Sequence, residues 1–350
     1  MRSGPLAIFA AAALWGTAGT AGALTDAGSV PLAAARLVLG GAVLAALAAR
    51  SLAAADPRHH GRGAGEPADQ DGHLLGHARE AEKYRRGGPA PAPARSGIGA
   101  ALASGLGLVR GRPALLLAAV AVAAYQLCFF AAVARTGVAI GTVVAIGSGP
   151  VFTGLLSWLL DRRPPTLRWA LATTTAVPGL CAVLVTGGEA SGAEPGGIAL
   201  ALVGGLLYAF YAVMASRAIQ TGLESGVVMG LLFGGAAVLM LPVLVVTAPG
   251  SLTEPRALLV AVYLGCATTA LSYLLYGKGL RTTPVATAAT LALAEPAVAA
   301  LLGLAVLGER LSGPAWAGLG LLAVGLIIVA LPERARTAPE PAAQRTASGA

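Results

Sequence analysis

The chain has 350 residues, of which 56% are hydrophobic and 11% charged, and it carries a formal net charge of +8. Soluble domains carry ~25% charged residues, and the mean hydropathy of +0.75 points away from them. The arginines stand at the ends of apolar runs and in one polar segment rather than on a face, so the charge argues for no nucleic-acid partner and for an all-α integral membrane protein in a lipid bilayer.

The first apolar run, Pro5 to Leu24, holds no charged residue and contains Leu14-Trp15-Gly16. With Arg2 before it and Ala21-Gly22-Ala23 near its end it imitates a secretory signal, but nine further runs follow and it serves as the first of them. The second run, Leu32 to Ala49, carries Arg36 about one turn inside the span, where snorkelling to the surface is the expected explanation and a role in substrate binding the alternative.

Residues 51–112 change character, to Pro, Gly, Arg, acidic residues and all four histidines, His59, His60, His73 and His77. This is expected to be a disordered cytoplasmic insert. His73 and His77 have the spacing of a helical ligand pair, but in a polar tract without cysteine no metal site is expected. Ala100 to Val109 is apolar yet too short to cross a bilayer.

Eight more runs follow: Pro113 to Ala134, Val138 to Leu160, Thr166 to Thr186, Gly196 to Ser216, Gly226 to Ala248, Ala257 to Gly277, Pro284 to Leu307 and Gly313 to Leu331. The expectation is ten transmembrane helices and a disordered tail over 332–350. Cys128, Cys181 and Cys266 all lie inside these runs and offer neither a disulfide framework nor a metal set. Gly226, Gly230 and Gly234 form a small-residue stripe suited to close helix contact, either within the bundle or in a homodimer. An inward N-terminus places Arg2, the insert, Arg162, Arg163, Arg168, Arg217, Lys278, Arg281, Arg334 and Arg336 on one side, so both termini are expected in the cytoplasm.

The ninth run is unusual because its one ionisable residue, Glu295, lies near the midpoint and is followed by Pro296. A charged group at mid-membrane is costly, and one kept there is by default a functional candidate. Pro296 has no N–H for the carbonyl of Ala292, so the helix should open beside the carboxylate. Broken backbone at that depth is tolerated only against protein or a watery cavity.

The segment Arg135 to Leu156 lies without a gap over Arg281 to Leu302, matching Arg135 with Arg281, Thr136 with Thr282, and Pro150 with Pro296. Five spans repeated as five more place the second copy upside down, which is an inverted repeat with its site near the midplane. Gly149-Pro150 and Glu295-Pro296 are then expected as matching helix interruptions.

Leu14-Trp15-Gly16, the Arg-bearing second span, Gly149-Pro150 followed by Leu159-Leu160-Asp161-Arg162-Arg163, and Glu295-Pro296 with Leu307-Gly308-Glu309-Arg310-Leu311 resemble the EamA-type transporters of the drug/metabolite transporter superfamily. The likeness covers nearly the whole chain apart from the insert and the tail. It implies ten helices in two inverted five-helix repeats, 1–186 and 196–331, and an exporter of amino acids, metabolites or drugs. Asp161-Arg162-Arg163 departs from the Gly-Glu-Arg type of ending, and the second-to-third loop is longer than the family's.

A central cavity for a small-molecule substrate needs a few inward polar or aromatic groups. The candidates are Trp15, Thr17, Tyr125, Gln126, Ser148, Pro150, Tyr208, Tyr211, Ser272, Tyr273, Tyr276, Glu295 and Pro296. Glu295 aligns with Gly149 and has no mate in the other half, so it is the group at the right depth to load and release a proton. There is no intramembrane histidine, no Gly-x-Ser-x-Gly elbow and no Gly-x-x-x-x-Gly-Lys loop, which argues against an enzyme, a nucleotide or another cofactor. The alternative to a secondary transporter is a membrane scaffold or sensor acting through the long cytoplasmic loop.

Overall fold

A computed structural model describes residues 3–54, 107, 111–162, 164–185, 194–248, 250, 252–308 and 310–331. Most of the polar insert with its histidines, and the tail expected to be disordered, lie outside the described residues.

The described chain is all helical: α1 (Ser3–Gly22), α2 (Ser29–Ala54), α3 (Pro113–Asp161), α4 (Leu167–Val185), α5 (Pro195–Gln220), α6 (Ser225–Thr247), α7 (Pro255–Leu280), α8 (Val285–Val306) and α9 (Gly313–Ala330). Among the described residues nine helices are long and apolar enough to cross a bilayer. In hydrocarbon every backbone N–H and C=O needs a partner inside the segment, which is why such runs become helices. Proline stands in the first turn of α3, α5, α7 and α9, where its missing N–H removes no helical bond. Ser312 caps α9 by accepting from the Ala315 N–H at 3.3 Å.

The runs at Pro113 to Ala134 and Val138 to Leu160 follow one another within α3 as two helices joined across a kink. The helix is interrupted at Gly137, whose φ of 78° and ψ of 162° suit a residue with no Cβ.

Helix packing rests on alanine and glycine, which let backbones meet closely. α2 pairs with α6, α3 with α5, and α4 with α9, while α1 lies against α7 and α8. In the α2–α6 contact Gly41 abuts Phe233 and Ala237, Gly230 abuts Leu44 and Ala48, and Gly234 abuts Ala45. Gly230 and Gly234 of the small-residue stripe thus serve the interior of the bundle. In the α4–α9 contact a Cβ at Gly179 would stand 2.7 Å from the Gly318 carbonyl oxygen and 2.6 Å from the Leu322 nitrogen; one at Gly325 would stand 2.8 Å from the Ala172 carbonyl oxygen and from Ala176. Side chains pointing away from these contacts, such as Leu117, Val138, Leu167, Val246 and Leu259, are large, apolar and exposed, as a lipid-facing surface requires.

Two helices depart from α geometry. In α7 the segment Cys266–Leu271 is π-helical, and its loosened backbone is supported by Thr268 and Ser272, whose hydroxyls donate to the carbonyls of Leu264 (2.8 Å) and Thr268 (2.6 Å). α8 breaks at Leu293 between the helical segments Val285–Ala292 and Ala294–Val306, three residues before Pro296. The Leu293 N–H donates to Thr290 O at 3.1 Å, a tightened turn where the α pattern stops. The matching interruption expected at Gly149-Pro150 is not seen as a break: α3 keeps helical dihedrals there, and Thr153 Oγ1 donates to Gly149 O at 2.7 Å.

Candidate functional site

A cavity opens where α1, α2, α3, α5, α7 and α8 converge, and its polar lining consists of Trp15, Arg36, Tyr125, Tyr208, Tyr211, Tyr273 and Glu295. Ala145, Ile146, Ala289 and Ala292 supply the small apolar remainder. Glu295 lies just past the break in α8 and therefore reaches the cavity from disturbed backbone.

The aromatic wall is a connected set. Trp15 packs against Tyr273 and Tyr276, with ring centroids 5.0 and 5.5 Å away, and Tyr273 lies 3.8 Å from Phe233. Tyr208 meets Tyr211 edge-on at 5.3 Å. Two hydroxyl pairs tie α5 to α7: Tyr208 with Tyr276 at 3.4 Å, and Tyr211 with Tyr273 at 3.3 Å. The three-residue spacing within each tyrosine pair is the reason both rungs form, since such residues share a helix face.

Other sequence candidates point elsewhere. Thr17 donates to Leu14 O at 2.7 Å or shares a hydrogen bond with Tyr263 at 2.8 Å. Ser148 turns to its own helix, 3.3 Å from Ala145 O, and packs against Gly205. Ser272 is fully buried on the π-helical turn, and Gln126 is buried with its Nε2 unpartnered. Tyr276 stands behind Trp15 rather than in the lining, and Pro150 and Pro296 are buried backbone features.

Arg36 corrects the snorkelling expectation: it lines the cavity, and its buried Nε has no hydrogen-bond partner. Its neighbours Ala33, Ala34, Ala35 and Leu37 are all buried, which turns this stretch of α2 inward.

A second, wider cleft is bordered by Asp161, Trp169, Arg217, Gln220 and the turn Arg281 to Pro284. Asp161 and Arg217 form an exposed ion pair at 3.0 Å across its rim, worth ~0–1 kcal/mol. Both openings are strung along the same helices. On α8 Ala286 and Thr287 face the cleft while Ala289, Ala292 and Glu295 face the cavity; on α5 Ser216 and Arg217 face the cleft while Tyr208 and Tyr211 face the cavity. Trp169 wedges between helices at this end, against Gly154 and with its indole N–H donating to Ala286 O at 3.1 Å.

The sequence pattern of the EamA-like transporter family matches residues 195–331. The uncharacterized transporter YwfM of Bacillus subtilis is 37% identical over 227 residues, 65% of this chain and 76% of YwfM. The chain belongs to the EamA-like transporter family. Within the drug/metabolite transporter superfamily, this EamA-like transporter is also similar to the threonine/homoserine exporter RhtA of Escherichia coli, 34% identical over 55% of this chain and 61% of RhtA. The uncharacterized inner membrane transporter YedA of the same organism is 30% identical over 54% of this chain and 60% of YedA. The match thus spans about three fifths of the length of these two relatives. A crystal structure with 18% identity superposes with a TM-score of 0.68, covering 94% of this chain and 97% of the other, and supports the fold alone. This EamA-like transporter is a multi-pass protein of the bacterial inner membrane, not an enzyme, and carries a small organic solute by secondary transport.

Proposed function

We propose that the protein exports a small organic metabolite, an amino acid, a related metabolite or a drug, by alternating access through the central cavity, with Glu295 coupling export to protons. The observation that carries this reading is the cavity itself, lined by aromatic side chains and by a carboxylate beside the break in α8. The name of RhtA makes amino acids the first compounds to try.

In this reading the chain has ten spans, with α3 counted as two on either side of Gly137, arranged as inverted repeats 1–186 and 196–331 with both termini in the cytoplasm. Helix contacts support the repeat. Gly179 abuts Gly318 and Leu322, while Gly325 abuts Ala172 and Ala176. These are the same contact with the two copies exchanged, because the repeat alignment pairs 179 with 325, 172 with 318 and 176 with 322. Likewise Gly4 of α1 meets Thr282, and Gly197 of α5 meets Thr136, the residue aligned with Thr282. An exchange-symmetric bundle can rock between two equivalent arrangements around one central site. The wider cleft at the Arg217 and Arg281 end is then the cytoplasmic approach. Trp15, Tyr125, Tyr208, Tyr211 and Tyr273 shape the site; Tyr276, Ser272, Gln126, Ser148 and Thr17 support the helices behind it. Association of two copies as a homodimer would use the apolar outer faces.

The test is substrate-driven proton movement in proteoliposomes, wild type against Glu295→Gln, over a panel of amino acids and other metabolites. Proton movement that appears with substrate and vanishes in the variant is the expected result. Equal substrate flux in both proteins would remove Glu295 from coupling.

A further inference from the structure

Two formal charges line one cavity, Arg36 from α2 and Glu295 from α8. They come from different helices and are not joined in an ion pair, whereas Asp161 and Arg217 at the cleft rim are. An Arg and a Glu that only compensated each other at this depth would be expected to close on one another, since pairing offsets the desolvation of both.

The hydrogen-bonding groups around the two charges are complementary in kind. Among the lining residues two donors are left over: Arg36 Nε and the Trp15 indole N–H are both buried without an acceptor among the described residues. A buried donor left without an acceptor is an exception that asks for an explanation, and a ligand that brings the acceptor is one. The acceptor of the lining is the Glu295 carboxylate, and helix backbone adds to it. Pro296 and Pro150 have no N–H, so the carbonyls of Ala292 and Ile146 each lack the donor that an ordinary helix would give them. Ala292 and Ile146 both line the cavity. A solute bearing a carboxylate and an ammonium a few bonds apart satisfies both sets, whereas an amine satisfies only the second and an acid only the first.

We infer that Arg36, assisted by the Trp15 N–H, receives the carboxylate of the solute while Glu295 holds its ammonium, making Arg36 the residue that selects zwitterions over amines and acids. The inference rests on the use of this cavity as the transport site proposed above. Arg rather than Lys suits the task, because its planar fork matches a carboxylate in two hydrogen bonds.

The experiment is counterflow in proteoliposomes of the full chain with the proteinogenic amino acids, then with analogues of a transported one. For threonine these are 1-amino-2-propanol, which lacks the carboxylate, and 3-hydroxybutyrate, which lacks the ammonium. Wild type is expected to prefer the zwitterion to either analogue by at least about tenfold, the range of one charge-assisted contact. Arg36→Gln should reduce zwitterion transport several-fold more than amine transport, bringing the two close together, and Arg36→Lys should recover part of the loss. A monodisperse size-exclusion profile and an unchanged melting transition in detergent show that the variant is folded. Equal transport of amine and zwitterion by wild type overturns the inference. So does an Arg36→Gln protein that loses all three compounds in proportion, which would make Arg36 a structural counter-charge. Substrate-driven proton movement with other metabolites but with no amino acid would overturn the role of Arg36 while leaving the proposed transport function standing.

Discussion

Ile146 and Ala292 each lie four residues before a proline, and each lines the central cavity. One belongs to α3, which stays helical through Pro150, and the other to α8, which breaks at Leu293. The same missing N–H is therefore absorbed in two ways: α3 runs on as helix through Pro150, and α8 becomes two short helices meeting beside Glu295.

Replacing Pro296 by Ala should return a donor to the Ala292 carbonyl and extend the helix through Leu293. Interior proline costs a helix ~3 kcal/mol, so the variant should melt higher in detergent by part of that amount. Solute turnover should fall, because the opened backbone beside Glu295 is lost. Differential scanning fluorimetry read beside counterflow gives both signs, and a stabilised protein with full turnover would show that the break is not needed.

The α4–α9 contact predicts a contrast among glycines. Gly179→Ala drives a methyl against the Gly318 carbonyl and the Leu322 backbone, neither of which can rotate away. At Gly320, in the same pair of helices, a Cβ would meet nothing within 4 Å among the described residues. Overpacking costs ~1–3 kcal/mol, so Gly179→Ala should melt lower, while Gly320→Ala should melt at or slightly above wild type.

Tyr273 holds two kinds of contact that separate on substitution. Tyr273→Phe removes the hydroxyl pair with Tyr211 and keeps the ring against Trp15 and Phe233, for a loss of ~0.5–1.5 kcal/mol. Tyr273→Ala also removes the stacking and should cost ~3–5 kcal/mol, as deletion of a large aromatic does. Thermal unfolding of the two variants should show that order, and indole fluorescence from Trp15 should shift only with Ala.

Arg168 should matter more than its place at a helix start suggests. Its Nε and Nη2 donate to the carbonyls of Ile328 (2.6 Å) and Val329 (2.5 Å), which lie in the last turn of α9, where intrahelical donors run out. Arg168→Gln should lower stability by ~1.5–3 kcal/mol, the value of a hydrogen bond from a charged donor. Added salt should change that loss little, in contrast to the exposed Asp161–Arg217 pair, whose removal should be nearly silent at physiological ionic strength.

The apolar runs located the helices well because burial in lipid leaves the backbone one solution. Glu295 was legible for the same reason: a carboxylate amid apolar residues is visible in one dimension. Arg36 was legible only as an alternative to snorkelling, because depth along a helix does not say toward which neighbour a side chain turns, and the helix that Arg36 faces is set by Gly40 and Gly41 packing on α7 and α6. Ser148 and Ser272 looked like site residues by type, yet their hydroxyls are occupied by carbonyls of their own helices. Ile146, Ala289 and Ala292 carried no signal, since an alanine or isoleucine at a cavity looks like one in the core. The π-helical turn of α7 was likewise silent, because it arises from a one-residue surplus in backbone pairing rather than from a distinctive composition.

The pairing of α1 with α7 and α8, of α2 with α6, of α3 with α5 and of α4 with α9 also fixes an order of events during synthesis. Each helix in the earlier part of the polypeptide finds its main partner among helices the ribosome has yet to deliver. The early spans must wait in the bilayer with their glycine faces against lipid, and the interface of α4 on α9 closes only after α9 has been delivered.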